Sequence, residues 1–248
     1  LYPDDQLPAD VEAERRSDAF PQTRWSVILD AEQEDPAALA QFCRAYHYPL
    51  YSYARRSGLK VADAEDLTQA FFERLLSRHL LAHARRERGK LRNFLLRSFT
   101  NFATEDRRRQ SAGKRGSGQP LLELDALEAE ERFSLEPHDN ITPEVEYERA
   151  WARELLRQAL EKLGATYEAA GQGAIFHALR DQLTEGSPDR SYQAIAASLG
   201  LTEASARFAA FKLRQRYRSV LHEIVAATVA RDEEVGEELV YFRSLFRG

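Results

Sequence analysis

Asp63, Glu65 and Asp66 crowd three carboxylates into four residues of the stretch DAEDLTQAFF. Such a group can ligate magnesium, or it can open a helix and face a partner. His79 and His83 stand four residues apart, the helical spacing that turns two imidazoles toward one metal ion. Neither group has a full ligand set. There is no HExxH motif, and Cys43, the only cysteine, is distant in sequence and rules out an internal disulfide or a four-cysteine zinc site. A nucleophile elbow and a P-loop are also absent from the sequence. These residues point away from catalysis, and neither a metal nor another cofactor is expected.

The carboxylates therefore read as parts of a helix. Asp63 suits an N-cap, with Asp66 three residues on in a capping-box arrangement. Leu67, Phe71 and Leu75 then share one face, widened by Phe72 and Leu76. Glu65, Gln69, Phe72 and part of Asp66 are expected to remain outward.

The rest of the chain has the same 3.6-residue periodicity and no sustained strand pattern. TRWSVILDA opens a helix at Thr23. The next begins at Pro36, carries Leu39, Phe42, Tyr46, Leu50 and Tyr53, stops at Gly58, and should bend or break at Pro49. LRNFLLRSFTNFATEDRRRQ sets Leu91, Leu95, Phe99 and Phe102 on one side and arginines on the other. SAGKRGSGQP ends all periodicity and marks a domain boundary. Beyond it, Thr142 caps a helix with Pro143 in its first position, and Gly164 is expected to stop it after Trp151, Leu155, Ala159, Leu160 and Leu163. AIFHALRDQL is a further helix.

Charge is segregated, although the chain's net charge is only −5. Arg85–Arg115 holds eleven Lys/Arg against three acids, Leu121–Glu148 one arginine against ten acids, and Glu203–Arg218 five Lys/Arg against one acid. Two polyanion-binding units joined by an acidic connector are implied. The first basic block reads either as a solvated face or, with Phe94, Phe99 and Phe102 interleaved, as a surface for single-stranded nucleic acid. No run reaches the ~18 apolar residues of a membrane span, and the polar N-terminus has no signal-peptide core. A cytoplasmic location is expected. The sequence contains no methionine, so its first residue is not expected to be the true start.

SYQAIAASLGLTEASARFAAFKLRQRYRSVL reads as a helix-turn-helix. Ser191 caps the first helix, small Ala196 permits close approach, Gly200 makes the turn, Leu201 plugs the core and Thr202 caps the second helix. That second helix carries Arg207, Lys212, Arg214, Arg216 and Arg218, suited to phosphates and base edges. The alternative is an ordinary helical hairpin.

In this order, the parts resemble bacterial RNA polymerase sigma factors of the extracytoplasmic-function group. DAEDLTQAFF resembles the region-two signature that docks on the β′ clamp helices. GKLRNFLLRSFTNFATEDRRRQ resembles the adjoining segment that reads and melts the minus-ten element, and the helix-turn-helix resembles region four, which reads the minus-thirty-five element. The likeness spans roughly Trp25 to Leu221. It implies an all-α chain of two helical domains joined by an acidic linker: an irregular segment 1–22, a region-two domain 23–115, the linker 116–141, a region-four domain 142–226 and an amphipathic tail 227–248.

The resemblance assigns Asp63, Glu65, Asp66, Gln69 and Phe72 to the polymerase. It assigns Arg88, Lys90, Arg92, Asn93, Phe94, Asn101, Arg107, Arg108 and Arg109 to the minus-ten DNA, and Thr202, Ser205, Arg207, Phe211, Lys212, Arg214 and Arg216 to the upstream duplex. Core polymerase (β′ clamp helices and β flap) and promoter DNA are the implied partners, with an anti-sigma factor or a Ser/Thr kinase as regulator and no membrane. A threonine near Thr68 is phosphorylated in some relatives; here three carboxylates already supply negative charge. The linker is expected to run through polymerase channels or to shield the basic faces of the free protein. Phe94 stands where the melting segment usually has tryptophan, and Phe208–Ala209 where many relatives have Ser-Arg. A stand-alone helix-turn-helix regulator is the competing reading.

Overall fold

A computed structural model describes residues 36–77, 90–111, 126–136, 141–183, 191–229, 231 and 233–246. These form nine α-helices and one 3-10 turn, with no strand among the described residues. In chain order they are α1 (Pro36–Arg56), α2 (Val61–Ser77), α3 (Leu91–Ser111), α4 (Ala126–Leu135), α5 (Pro143–Ala169), α6 (Gly173–Leu179), the turn Arg180–Leu183, α7 (Tyr192–Leu199), α8 (Glu203–Ala226) and α9 (Glu234–Leu245). The helix expected from Thr23, the segment with His79, His83 and Arg88, and most of the glycine-rich boundary lie outside the described residues.

Helix α1 is buried nearly all round between Phe42 and Ala54, which makes it the centre of a core rather than a wall. Phe42, Cys43, Ala45, Tyr46, Leu50, Tyr51 and Ala54 are all buried. The helix runs through Pro49 instead of stopping there; the burial of its neighbours outweighs one missing backbone bond. The Cys43 thiol is pushed up to about 12 by burial. Helix α2 begins at Val61, so Asp63 lies in its first turn and not at the cap.

Leu67, Phe71 and Leu75 are buried as their spacing predicts, but so is Phe72, at 2 % exposure. Adjacent positions on a helix point about 100° apart, and α2 lies where both directions meet protein. Phe71 packs edge-on against Phe99 at 5.2 Å, while Phe72 meets Phe42 and His47 at 6.5 and 6.4 Å. The expected outward placement of Phe72 is thus corrected. Leu91, Leu95, Phe99 and Phe102 of α3 close this core.

A second core gathers Leu163, Tyr167, Phe176, Leu179, Ile195, Ala196, Ala206, Ala210 and Leu213. Helix α5, 27 residues or about 40 Å long, serves both cores. Tyr147, Ala150, Trp151, Ala152 and Leu155 belong to the first, and Leu163 and Tyr167 to the second. Helix α8 likewise starts in the second core and ends in the first at Val225. Gly164 does not stop α5. It is buried, and a Cβ there would stand 2.9 Å from Phe176 Cε1, so the glycine admits a neighbouring ring.

The middle of the acidic segment is helical and docked. Ala129 and Phe133 of α4 are buried in the first core. Glu130 receives two hydrogen bonds from Arg55, each 3.0 Å, and one from the Tyr51 hydroxyl at 2.5 Å. Glu136 pairs with Arg153 at 2.9 Å, and buried Glu146 lies 3.7 Å from Arg56 and 3.5 Å from Arg153. Burial, followed by the neighbouring Glu136, raises the Glu146 carboxyl. These acids pair with arginines of α1 and α5. The tail helix α9 also packs inward: Val235, Phe242 and Leu245 are buried in the first core, Phe242 edge-on to Trp151 at 5.0 Å.

Candidate nucleic-acid interface

Local chemistry builds the α7–α8 turn. The Ser191 hydroxyl accepts from Ala194 N at 3.2 Å and starts α7. Gly200 ends it with φ +65°, a left-handed conformation that glycine adopts without Cβ strain. Leu201 N then donates to Ala196 O at 2.9 Å, and its side chain packs on the second core. The Thr202 hydroxyl accepts from Ser205 N at 3.2 Å to start α8. Ala196, Ala206 and Ala210 are all buried, and their small size brings the two helices close. The expected caps and turn are all present.

Helix α8 buries Ala206, Ala210 and Leu213 and exposes Ser205, Arg207, Phe208, Phe211, Lys212, Arg216 and Arg218. Arg207 pairs with Glu203 at 2.6 Å and lies over the Tyr192 ring at 5.1 Å. Arg216 lies over Tyr167 at 5.2 Å. Arg214 is half-buried and donates to the Tyr192 hydroxyl at 2.7 Å and to Gln182 O at 3.3 Å. It ties α8 to α7 and the 3-10 turn, so among the expected cations of α8 it has a structural post.

On α3, the expected DNA-binding set divides. Asn93, Asn101, Arg107, Arg108 and Arg109 are exposed, and Phe94 is half-buried. Arg109 shares Glu105 with Arg74 of α2, and hydrogen bonding from Arg74 holds the Glu105 carboxyl below its usual range. Arg92, by contrast, is 4 % exposed. It pairs with Glu238 of α9 and, at 2.6 Å, with Glu148 of α5. Its guanidinium lies over Trp151 at 4.4 Å and Tyr241 at 5.1 Å, and its carbonyl accepts from the Tyr147 hydroxyl at 2.9 Å.

Glu238 is fully buried and also binds Lys90. Burial, and then Arg92, lowers the Lys90 ammonium; burial raises the Glu148 carboxyl. Lys90 and Arg92 thus clamp the tail helix to α3 and α5 instead of facing outward. The signal for this is Glu238 itself, set at helical spacing between Val235 and Phe242 on an otherwise apolar face. A carboxylate there needs a buried cationic partner.

On α2, Asp63 and Asp66 are exposed and Glu65 and Gln69 half-buried, which leaves an acidic edge beside buried Phe72. Thr68 is fully buried, its hydroxyl donating to Ala64 O at 2.7 Å. No group of three or more His, Cys, Asp or Glu among the described residues is placed to hold a metal ion. No helix among them is long and apolar enough to cross a membrane. No protein-family model, curated protein or solved structure matches the chain.

Proposed function

We propose that the chain is an RNA polymerase sigma factor of the extracytoplasmic-function type, which docks on core polymerase and directs promoter recognition, melting and initiation. The observation that carries this reading is the capped helix-turn-helix, whose second helix turns an exposed basic face away from its core. The acidic edge of α2, in the same chain, supplies a surface that duplex binding does not require.

In this reading Asp63, Glu65, Asp66 and Gln69 meet the β′ clamp helices, and Phe72 supports them from beneath. Asn93, Asn101 and Arg107–Arg109 line the path of the minus-ten strand. Their contacts offset the few kcal/mol that unstacking a base costs. Lys90 and Arg92 act indirectly, by fixing α3 against α5 and α9. Helix α8 sets the register on upstream duplex through Arg207, Lys212 and Arg216, with the amide-rich start of the helix toward a phosphate. No bond chemistry is assigned to the chain.

A pull-down with core polymerase tests the reading. Asp66→Arg reverses one exposed charge and should greatly reduce recovery of β′, whereas equal recovery of wild type and variant would remove the docking claim. A stand-alone duplex-binding regulator is the second reading. It is favoured by the inward engagement of Lys90 and Arg92, which takes two cations from the melting surface. Permanganate footprinting separates the two, since only the sigma reading gives unpaired, reactive thymines near the minus-ten element in the polymerase complex.

A further inference from the structure

The face of α8 that points away from the second core is not simply basic. Phe208 and Phe211 are 61 % and 59 % exposed. Successive residues turn by about 100°, so Phe208 points opposite the buried Ala206–Ala210–Leu213 edge. Phe211 stands three residues on, where helical side chains are neighbours. Ala204, one turn before Phe208, is exposed and small, which leaves room for close approach. An exposed aromatic pair on one helical face is a surface awaiting a partner.

The charge beside the pair names that partner. Glu203–Arg218 holds five Lys/Arg against one acid, and the Lys212 ammonium lies 5.4 Å from the Phe208 ring centroid. A polyanion that offers apolar groups between its charges fits this face. Duplex DNA does so in the major groove, whose width admits an α-helix. Phenyl rings carry no donor or acceptor, so they cannot read the N7, O6, N4, N6 or O4 positions. The apolar group displayed there is the C5-methyl of thymine.

From this geometry we infer that Phe208 and Phe211 determine sequence preference by packing on thymine methyl groups, while Arg207, Lys212 and Arg216 hold the flanking phosphates. Three residues of helix advance about 4.5 Å, close to one base-pair step, so the two thymines lie within about two base pairs of each other. The inference rests on the duplex-binding part of the proposed function and is independent of polymerase docking.

The test uses the full chain, with and without core polymerase, to select sites from a random duplex library. Selected thymines are then replaced singly by deoxyuridine, which keeps every hydrogen-bonding group and removes the methyl. Each of two nearby replacements should weaken wild-type binding by about fourfold, the worth of one buried methyl. Phe208→Ala and Phe211→Ala should each lose sensitivity at one position and keep their salt-dependent binding to unselected duplex. Both positions are exposed, and unchanged helical circular dichroism verifies the fold.

Uridine probes that bind as tightly as thymine probes at every selected position overturn the inference, as does an absence of sequence-selective duplex binding with or without polymerase. Recovery of β′ together with uridine insensitivity defeats the inference alone. Methyl-sensitive binding without β′ recovery defeats polymerase docking and upholds the inference.

Discussion

Glu238 is the residue on which the placement of the tail helix turns. It is fully buried, binds both Lys90 and Arg92, and lies 146 positions from Arg92 in sequence. Glu238→Gln keeps the shape and removes the charge, leaving Arg92 with one carboxylate in place of two. Removing one partner of a buried pair costs about 3–5 kcal/mol. Two features of the site favour the lower end. Arg92 keeps Glu148 at 2.6 Å and the Trp151 and Tyr241 ring faces, and the Lys90 side chain, 36 % exposed, turns to water.

A loss of about 3 kcal/mol corresponds to a fall in Tm of about 6–12 °C for a chain of this size. Thermal unfolding followed by circular dichroism measures it. The paired variant Arg92→Met/Glu238→Met should lose less than the sum of its two single variants, since the partners leave together, but more than nothing, since Glu148 is left without Arg92. A double-mutant cycle then isolates the coupling. A Glu238→Gln variant melting within 1 °C of wild type (about 0.3 kcal/mol) would refute the claim that Arg92 depends on this carboxylate.

Two glycines in helices should respond oppositely to alanine. Gly164→Ala should lower stability by about 1 kcal/mol, since overpacking against Phe176 exceeds the gain in helix propensity. Gly236→Ala in α9, with nothing within 4 Å of the new Cβ, should raise it by about 0.5–1 kcal/mol; urea unfolding of both variants checks the pair. His47 supplies a pH signature. Burial, and then Arg132, lowers its pKa from 6.5 to about 4. Between those values the unfolded chain holds a proton that the folded chain lacks, so stability falls as pH drops from 6.5 to 4. The slope from this group is at most about 1.4 kcal/mol per pH unit. His47→Phe should flatten that part of a Tm-against-pH curve, and parallel curves would remove His47 as its source.

The amino-acid sequence by itself determined what depends on neighbours a few residues apart. Thr142, Ser191 and Thr202 cap where they are expected, and Gly200 turns where it is expected. The faces Leu67–Phe71–Leu75 and Leu91–Leu95–Phe99–Phe102 are buried as written. Caps, turns and helical faces are short-range, so the caps and the turn between α7 and α8 were readable. The acidic edge of α2 was readable too, apart from Phe72: periodicity gives the direction of a side chain but not how many neighbours surround the helix. Gly164 fails as a stop for the same reason, since a local breaker signal yielded to the Phe176 ring packed on it from another helix.

Only the tertiary structure decided the fate of the charges. A lysine in a basic run looks the same in sequence whether it faces water or a buried carboxylate. Lys90 and Arg92 meet Glu238 because α3, α5 and α9 converge on one core. Likewise, Glu130 and Glu136 of the connector pair with Arg55 and Arg153 because α4 lies on α1 and beside α5. Ion pairs of that reach are set by where helices pack, and packing is the sum of many distant contacts that no local window contains.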